Sequence, residues 1–230
     1  MDEPDLLAIH EAVDILKKGG VIALPTETVY GLGADSRNKK AVERLYEIKK
    51  RPRSKPFTLC FAERNKAQNE FAVMPPFVYR MMEDFWPGPL TIVSYGRDLE
   101  KKIGVRIPSN PITETILREL NSPVFLSSAN ASGTKELFSA EEVISTFGNE
   151  VDMVVDAGIS QLMKPSTVID VTYHPFMVLR EGAVSVNDLM RVFFKKRLVF
   201  VCTGNTCRSP MAEYTQKYFI PEEPLCFREV

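Results

Sequence analysis

The chain has 230 residues, 44% hydrophobic and 26% charged, with a formal net charge of −1. This is an ordinary globular composition with enough material for one full core and something extra, and its near-neutral charge excludes a global field that would draw it onto nucleic acid. Any anion site must therefore be a local cluster.

In chain order, Leu6, Ile9, Val13 and Leu16 recur at helical spacing, and Gly19-Gly20 stops that helix. Val21 to Leu24 reads as a short apolar strand. Pro25 opens a hydroxyl-rich turn, Thr26-Glu27-Thr28, which Gly31 and Gly33 let the backbone leave, so Thr26 and Thr28 can face a ligand. Val42, Leu45, Tyr46 and Lys49 predict a helix that feeds the cationic loop Lys49-Lys50-Arg51-Pro52-Arg53-Ser54-Lys55-Pro56. Its cations repel one another without an anionic partner, and its two prolines stiffen it, a combination suited to a nucleoside triphosphate. Phe57 to Phe61 and Leu90 to Ser94 read as strands, with a helix between them carrying Phe77, Met81 and Phe85. Trp86-Pro87-Gly88-Pro89 is a sharp turn, and the single Trp86 is assigned to packing.

Val124-Phe125 leads as a strand into Leu126-Ser127-Ser128-Ala129-Asn130-Ala131-Ser132-Gly133, placing hydroxyls and an amide at a strand end, where α/β sheets form binding crevices. Ser139 with Glu142 and Ser185 with Asp188 predict helix caps, the second helix running through Phe194. The basic stretch Lys195-Lys196-Arg197 is the one evident linker. His10 and His174 are read as structural. Four cysteines, Cys60, Cys202, Cys207 and Cys226, fit neither a zinc ribbon nor a secreted disulfide framework and are expected to be reduced thiols. No apolar run approaches a signal or membrane segment, so no membrane contact and a cytoplasmic location are expected.

Lys49-x-Arg51 paired with Ser128-x-Asn130, together with Pro25-Thr26-Glu27-Thr28-Val29-Tyr30-Gly31-Leu32, resembles the YrdC-like threonylcarbamoyl-adenylate synthases. The likeness runs from about Leu6 to Phe194 and includes Trp86-Pro87-Gly88-Pro89-Leu90-Thr91, Val105-Arg106-Ile107-Pro108, Pro165-Ser166-Thr167-Val168-Ile169-Asp170 and Leu179-Arg180-Glu181-Gly182. It implies an α/β fold over residues 1–194: a twisted, mixed, open sheet with helices and a basic concave groove. It further implies L-threonine, bicarbonate and ATP with Mg²⁺ as reactants, threonylcarbamoyl-adenylate and pyrophosphate as products, and tRNA threonylcarbamoyl transfer proteins downstream. Lys49, Arg51, Ser128 and Asn130 are the implied catalytic set; Thr28, Lys55, Arg106, Ser166 and Arg180 are the implied substrate contacts. Which of Arg106 and Arg180 holds threonine and which holds nucleotide phosphate stays open. Cys60 stands where some relatives place a histidine near threonine, and no protein residue is expected to hold a metal.

Beyond the linker, Leu198 to Val201 reads as a buried strand that ends in Cys202-Thr203-Gly204-Asn205-Thr206-Cys207-Arg208-Ser209-Pro210, with a helical pattern after it. Loop amides and a helix N-terminus point at an anion there; Cys202 is a thiolate nucleophile and Arg208 a guanidinium fork, with Asn205 and Ser209 completing the loop. This strand, phosphate loop and helix resemble the start of the low-molecular-weight protein phosphatases. The acidic residues near the end, Glu213, Glu222, Glu223 and Glu229, do not match that family's aspartate general acid, so residues 198–230 are expected to be a truncated segment without useful turnover. With a complete C-terminal domain, the expectation would be a bifunctional synthase and phosphoarginine or phosphotyrosine phosphatase. A noncatalytic RNA-binding module is the competing reading of the first domain, opposed by the near-neutral charge; weak RNA binding through the basic loop is compatible with either.

Overall fold

A computed structural model of the chain describes residues 6–130 and 134–195. The elements run in the order α1 (Leu6–Lys17), β1 (Val21–Leu24), β2 (Gly31–Asp35), α2 (Lys39–Ile48), β3 (Thr58–Cys60), α3 (Arg64–Gln68), α4 (Pro76–Phe85), β4 (Leu90–Tyr95), β5 (Lys102–Arg106), α5 (Pro111–Leu120), β6 (Val124–Ser128), α6 (Ala140–Phe147), β7 (Met153–Val154), β8 (Thr167–Asp170), β9 (Met177–Arg180) and α7 (Val186–Phe194). The strands form one mixed sheet in the order β7-β1-β2-β6-β3-β5-β4-β8-β9. Pairings β1–β7, β3–β5 and β4–β8 are parallel and the others antiparallel.

Local chemistry sets the boundaries. After α1, Gly19 takes a φ of +89°, and the amides of Gly19 and Gly20 bond back to the Leu16 and Ile15 carbonyls, closing the last turn. Asn38, Asn110, Ser139 and Ser185 each cap a helix N-terminus with a side-chain oxygen.

The period-2 alternation of the strands divides the layers. In β1, Ile22 and Leu24 pack with Ile9, Val13 and Leu16 of α1 and with Ile116, Leu117 and Leu120 of α5. Val21 and Ala23 face the other way, against Leu45 and Ile48 of α2 and Val143 and Phe147 of α6. This half of the sheet is thus covered on both faces. In the other half, Leu90, Ile92, Val105 and Ile169 pack under Phe77, Val78, Met81 and Met82 of α4 and Leu189 and Val192 of α7. The opposite face of that half holds a cavity.

The sequence reading needs correction in three places. Gly31 and Gly33 do not release a loop; they lie inside β2, where an added Cβ would come 2.9 Å from Leu126 Cγ or 3.0 Å from Val124 Cγ1 of the neighbouring β6. Leu6 belongs to α1 but is exposed. Helices α3 and α5 were not anticipated. The reading of the 198–230 segment, including Cys202, Asn205, Arg208 and Ser209, lies outside the described residues, as do Cys207 and Cys226. Among the described residues no helix is long and apolar enough to cross a membrane.

Candidate active site

The floor of the cavity follows from strand alternation. Leu90 and Ile92 point to the core, so Thr91 and Val93 point the opposite way; Ile103 and Val105 do the same for Lys102, Gly104 and Arg106. Thr58 and Cys60 of β3 and Val168 of β8 extend this floor. The walls are the Thr26–Gly31 segment, the Arg51–Phe57 loop, Leu126–Ser128, and Pro165–Ser166 with Leu179–Arg180. Together they enclose about 410 Å³.

The Pro25–Tyr30 segment is ordered by its own hydroxyls. Thr26 Oγ1 accepts from the Thr28 and Val29 amides, each at 3.2 Å, and lies 2.8 Å from Thr28 Oγ1. Arg106 comes to this turn from the end of β5. Its Nη2 donates to Glu27 Oε1 at 2.7 Å and to Thr28 Oγ1 at 3.0 Å, and its Nε donates to the Gly88 carbonyl at 3.1 Å. Glu27 is 4% exposed and its second oxygen accepts from the Ser109 amide at 3.1 Å, so the carboxylate is fully used. A buried charge so completely paired fixes geometry, and here it aims the Thr28 hydroxyl and the Arg106 guanidinium. The sequence reading quoted Glu27 without giving it a role; the adjacent Thr-x-Thr is the signal that this turn is built from side-chain bonds.

The cationic run does not act as one patch. Lys49 is 2% exposed and turns inward, donating to the backbone carbonyls of Ser128 and Asn130 and, at 3.4 Å, to Asn130 Oδ1. Neither Lys49 nor Asn130 lines the cavity, whereas Ser128 does. Arg51 reaches the wall, bonds the Lys55 and Pro56 carbonyls at 2.8 and 2.9 Å, and lies over the Phe57 ring at 5.2 Å. Arg53 pairs with Glu43 on the outer surface, so the expected mutual repulsion is relieved by separation. Lys55 lines the cavity.

On the far wall, Arg180 Nε and Nη2 donate to the Ser166 carbonyl at 3.1 and 2.9 Å, and Nη2 also reaches Ser166 Oγ at 3.1 Å. Ser166 Oγ in turn meets Thr91 Oγ1 at 3.1 Å. Among the described residues five cations, Arg51, Lys55, Lys102, Arg106 and Arg180, therefore line one cavity, and no Asp or Glu side chain does. Lys102 has Asp170 at 2.8 Å and Arg106 has Glu27; among the described residues Arg51, Lys55 and Arg180 make no ion pair. Burial lowers the Arg51 and Arg180 pKa values from the ordinary guanidinium range, and for Arg180 the nearby Arg106 and Arg51 charges push further down while Glu136 opposes them. Arg180, whose charge is disfavoured by burial and by the Arg106 and Arg51 charges beside it, marks the cavity as an anion site. Cys60 is fully buried on the floor, and desolvation pushes its thiol up to about 12 despite the Arg106 charge, which excludes it as a thiolate at neutral pH.

The structure thus brings Thr28, Arg51, Lys55, Arg106, Ser128, Ser166 and Arg180 around one cavity and places Lys49 and Asn130 behind its wall. Sequence reading missed Thr91 and Lys102 as lining residues, although the alternation of polar and apolar residues in both strands marks them.

A family model for the Sua5, YciO and YrdC proteins, described as "Telomere recombination", matches residues 14–182, and the model of the low molecular weight phosphotyrosine protein phosphatases matches residues 197–227. The threonylcarbamoyl-AMP synthase of Pyrococcus abyssi is 30% identical over 217 residues, covering 90% of this chain and 64% of that protein. The uncharacterized Escherichia coli protein YciO is 32% identical, covering 82% of this chain and 96% of its own length. Among solved structures, P. abyssi Sua5 complexed with L-threonine superposes with a TM-score of 0.79 at 30% identity, covering 83% of this chain and 58% of that one. E. coli YciO superposes with a TM-score of 0.72 at 32% identity, with 82% and 95% coverage. The chain thus spans less than two thirds of its Pyrococcus relative.

Proposed function

Because the chain belongs to the family of Sua5, YciO and YrdC, we propose that it is a nucleotidyltransferase that makes threonylcarbamoyl-adenylate and pyrophosphate from L-threonine, bicarbonate and ATP, the first step toward threonylcarbamoyladenosine in tRNA. The observation that carries this reading is a cavity that, among the described residues, is lined by five cations and no carboxylate, beside a wall of ordered hydroxyls. Such a site suits a polyanion held next to a small polar substrate.

Bicarbonate carboxylates the neutral threonine amine: the N–C bond forms, the carbon–hydroxyl bond breaks, and the amine proton leaves with that hydroxyl as water, giving a carbamate. A carbamate oxygen then attacks the α-phosphorus of ATP; the bond to the bridging oxygen breaks and pyrophosphate leaves with the electron pair. Negative charge grows on the departing oxygens, and among the described residues Arg51, Lys55 and Arg180 are the cavity cations that make no ion pair. Thr28 and Ser166, whose hydroxyls are fixed by Arg106 and Arg180, are assigned to the amino acid. The chemistry asks for position and electrostatics rather than a protein base. Mg²⁺ is assigned to ATP itself, where it would neutralise charge on the phosphates. The product is assigned to tRNA threonylcarbamoyl transfer proteins, and RNA contact to weak, salt-sensitive phosphate binding.

The test is pyrophosphate release with ATP and bicarbonate, with and without threonine. Threonine-dependent release is expected; release that ignores threonine, or none from folded protein, overturns the assignment. For the 198–230 segment the reading is no useful phosphatase turnover. Hydrolysis of p-nitrophenyl phosphate that disappears in Cys202→Ser would refute it.

A further inference from the structure

We propose that Lys49 is a positioning residue, a buried clamp on the Ser128–Asn130 backbone that sets the hydroxyl edge of the cavity, and that Arg51 alone of the Lys49-x-Arg51 pair meets the substrate anion. The backbone sends the two side chains apart. Lys49 closes the last turn of α2 with φ −74°, and Lys50 then takes a left-handed φ of 47°, a conformation disfavoured for a non-glycine residue. The turn delivers Arg51 to the cavity wall and leaves Lys49 pointing into the protein.

What Lys49 meets there is a cage of neutral oxygens: the Ser128 and Asn130 carbonyls and Asn130 Oδ1. The same stretch is cross-braced. Ser128 Oγ donates to Asn130 Oδ1 at 2.6 Å, Asn130 Nδ2 donates to the Thr134 carbonyl at 2.5 Å, and the Ala129 amide donates to the Tyr30 carbonyl at 2.6 Å. Lys49 is thus the hub that ties the end of α2 to the end of β6. Its removal orphans buried acceptors at the place where Ser128 enters the cavity. Desolvation, with a smaller push from Arg51, lowers its pKa to about 8, as befits an ammonium with no carboxylate near it; Arg51 is the one charged group among the described residues acting on it. An ammonium with three acceptors already in place has no donor left for a phosphate.

The test has two arms, and only the second rests on the adenylation reading. In ligand-free protein, Lys49→Met should raise amide hydrogen exchange at residues 127–130 by tenfold or more, while Arg51→Ala should leave it unchanged. In wild-type protein labelled with ¹⁵N-lysine, the caged Lys49 ammonium should give a slowly exchanging signal that inorganic pyrophosphate barely shifts, so the proposal stays testable if the variant does not fold. In the second arm, Lys49→Met should lower kcat about a hundredfold with the KM for ATP changed only a few fold, whereas Arg51→Ala should raise that KM as well. Unchanged exchange in folded Lys49→Met, or a large pyrophosphate-induced shift of the Lys49 signal, overturns the clamp. Loss of the kinetic difference with the first arm intact overturns the adenylation reading instead.

Discussion

The two halves of the sheet are built from similar strands and differ in one respect: β1 and β2 are sandwiched between helices, while β4 and β5 carry helices on one face and a cavity on the other. The sandwiched half reads as unbroken apolar sequence, all four residues of β1 being buried. The half-covered part alternates, with Thr91 between Leu90 and Ile92, and Gly104 between Ile103 and Val105. The difference shows that the site exists because, among the described residues, one face of a sheet carries no helix and its positions are filled with cations and hydroxyls. Stability should therefore concentrate in the covered layers and activity in the open face.

The largest expected effect breaks this division. Glu27 lies at the cavity yet is buried and paired with Arg106, so Glu27→Ala should cost about 3–5 kcal/mol of stability by stranding that guanidinium. Denaturant unfolding measures it, and a cost below about 1 kcal/mol would show that the pair is not a structural joint. A comparable effect supports the division. Ile22→Ala, in the doubly covered β1, should cost about 2–5 kcal/mol, whereas Val93→Ala on the open face should cost under about 1. Equal costs would mean that the cavity floor is packed like the core.

Third comes the open face itself. Arg51→Ala should lower threonine-dependent pyrophosphate release about a hundredfold or more while leaving the unfolding midpoint within a few degrees of wild type, since Arg51 bonds two loop carbonyls and lies over the Phe57 ring without joining an ion pair among the described residues. Full turnover in the folded variant would remove Arg51 from the mechanism.

Much of this contrast was legible in the sequence. The Gly19-Gly20 stop, the Val21–Leu24 strand, the caps at Ser139 and Ser185 and the buried Trp86 follow from local rules that tertiary context did not override. Helix α5 escaped because the first residue of its buried stripe is Thr113, which reads as polar but spends its hydroxyl on the Pro25 carbonyl at 2.5 Å. Helix α3 has five residues and a single buried position, too little for a period to register. The stripe of Val42, Leu45 and Tyr46 includes Lys49, but what Lys49 meets was not legible. Lys-x-Arg looks like two presented cations, and only the φ of Lys50 and the carbonyls of a strand end 79 residues away turn one of them inward. Composition reports that a charge is present; three-dimensional pairing decides what it faces.

The smallest expected effect sharpens the comparison at the edge of the open face, where Asp170 joins Lys102 and Thr172. Burial pushes the Asp170 carboxyl up, but hydrogen bonds from Lys102 and from the Thr172 hydroxyl and amide more than offset this and hold it below the usual carboxylate range. A carboxyl depressed in the folded state stabilises above its unfolded pKa of about 4, and that contribution is lost as pH falls through the lower folded value. Asp170→Asn should therefore cost about 1 kcal/mol or less at pH 7, because Lys102 is partly exposed and its charge is screened. The gap between wild type and variant should close as pH drops below about 4, and raising salt at pH 7 should narrow it too. A gap that persists in acid would mean that Asp170 acts through shape and hydrogen bonding with Thr172 rather than through charge, and the outer edge of the groove would then belong with the covered half.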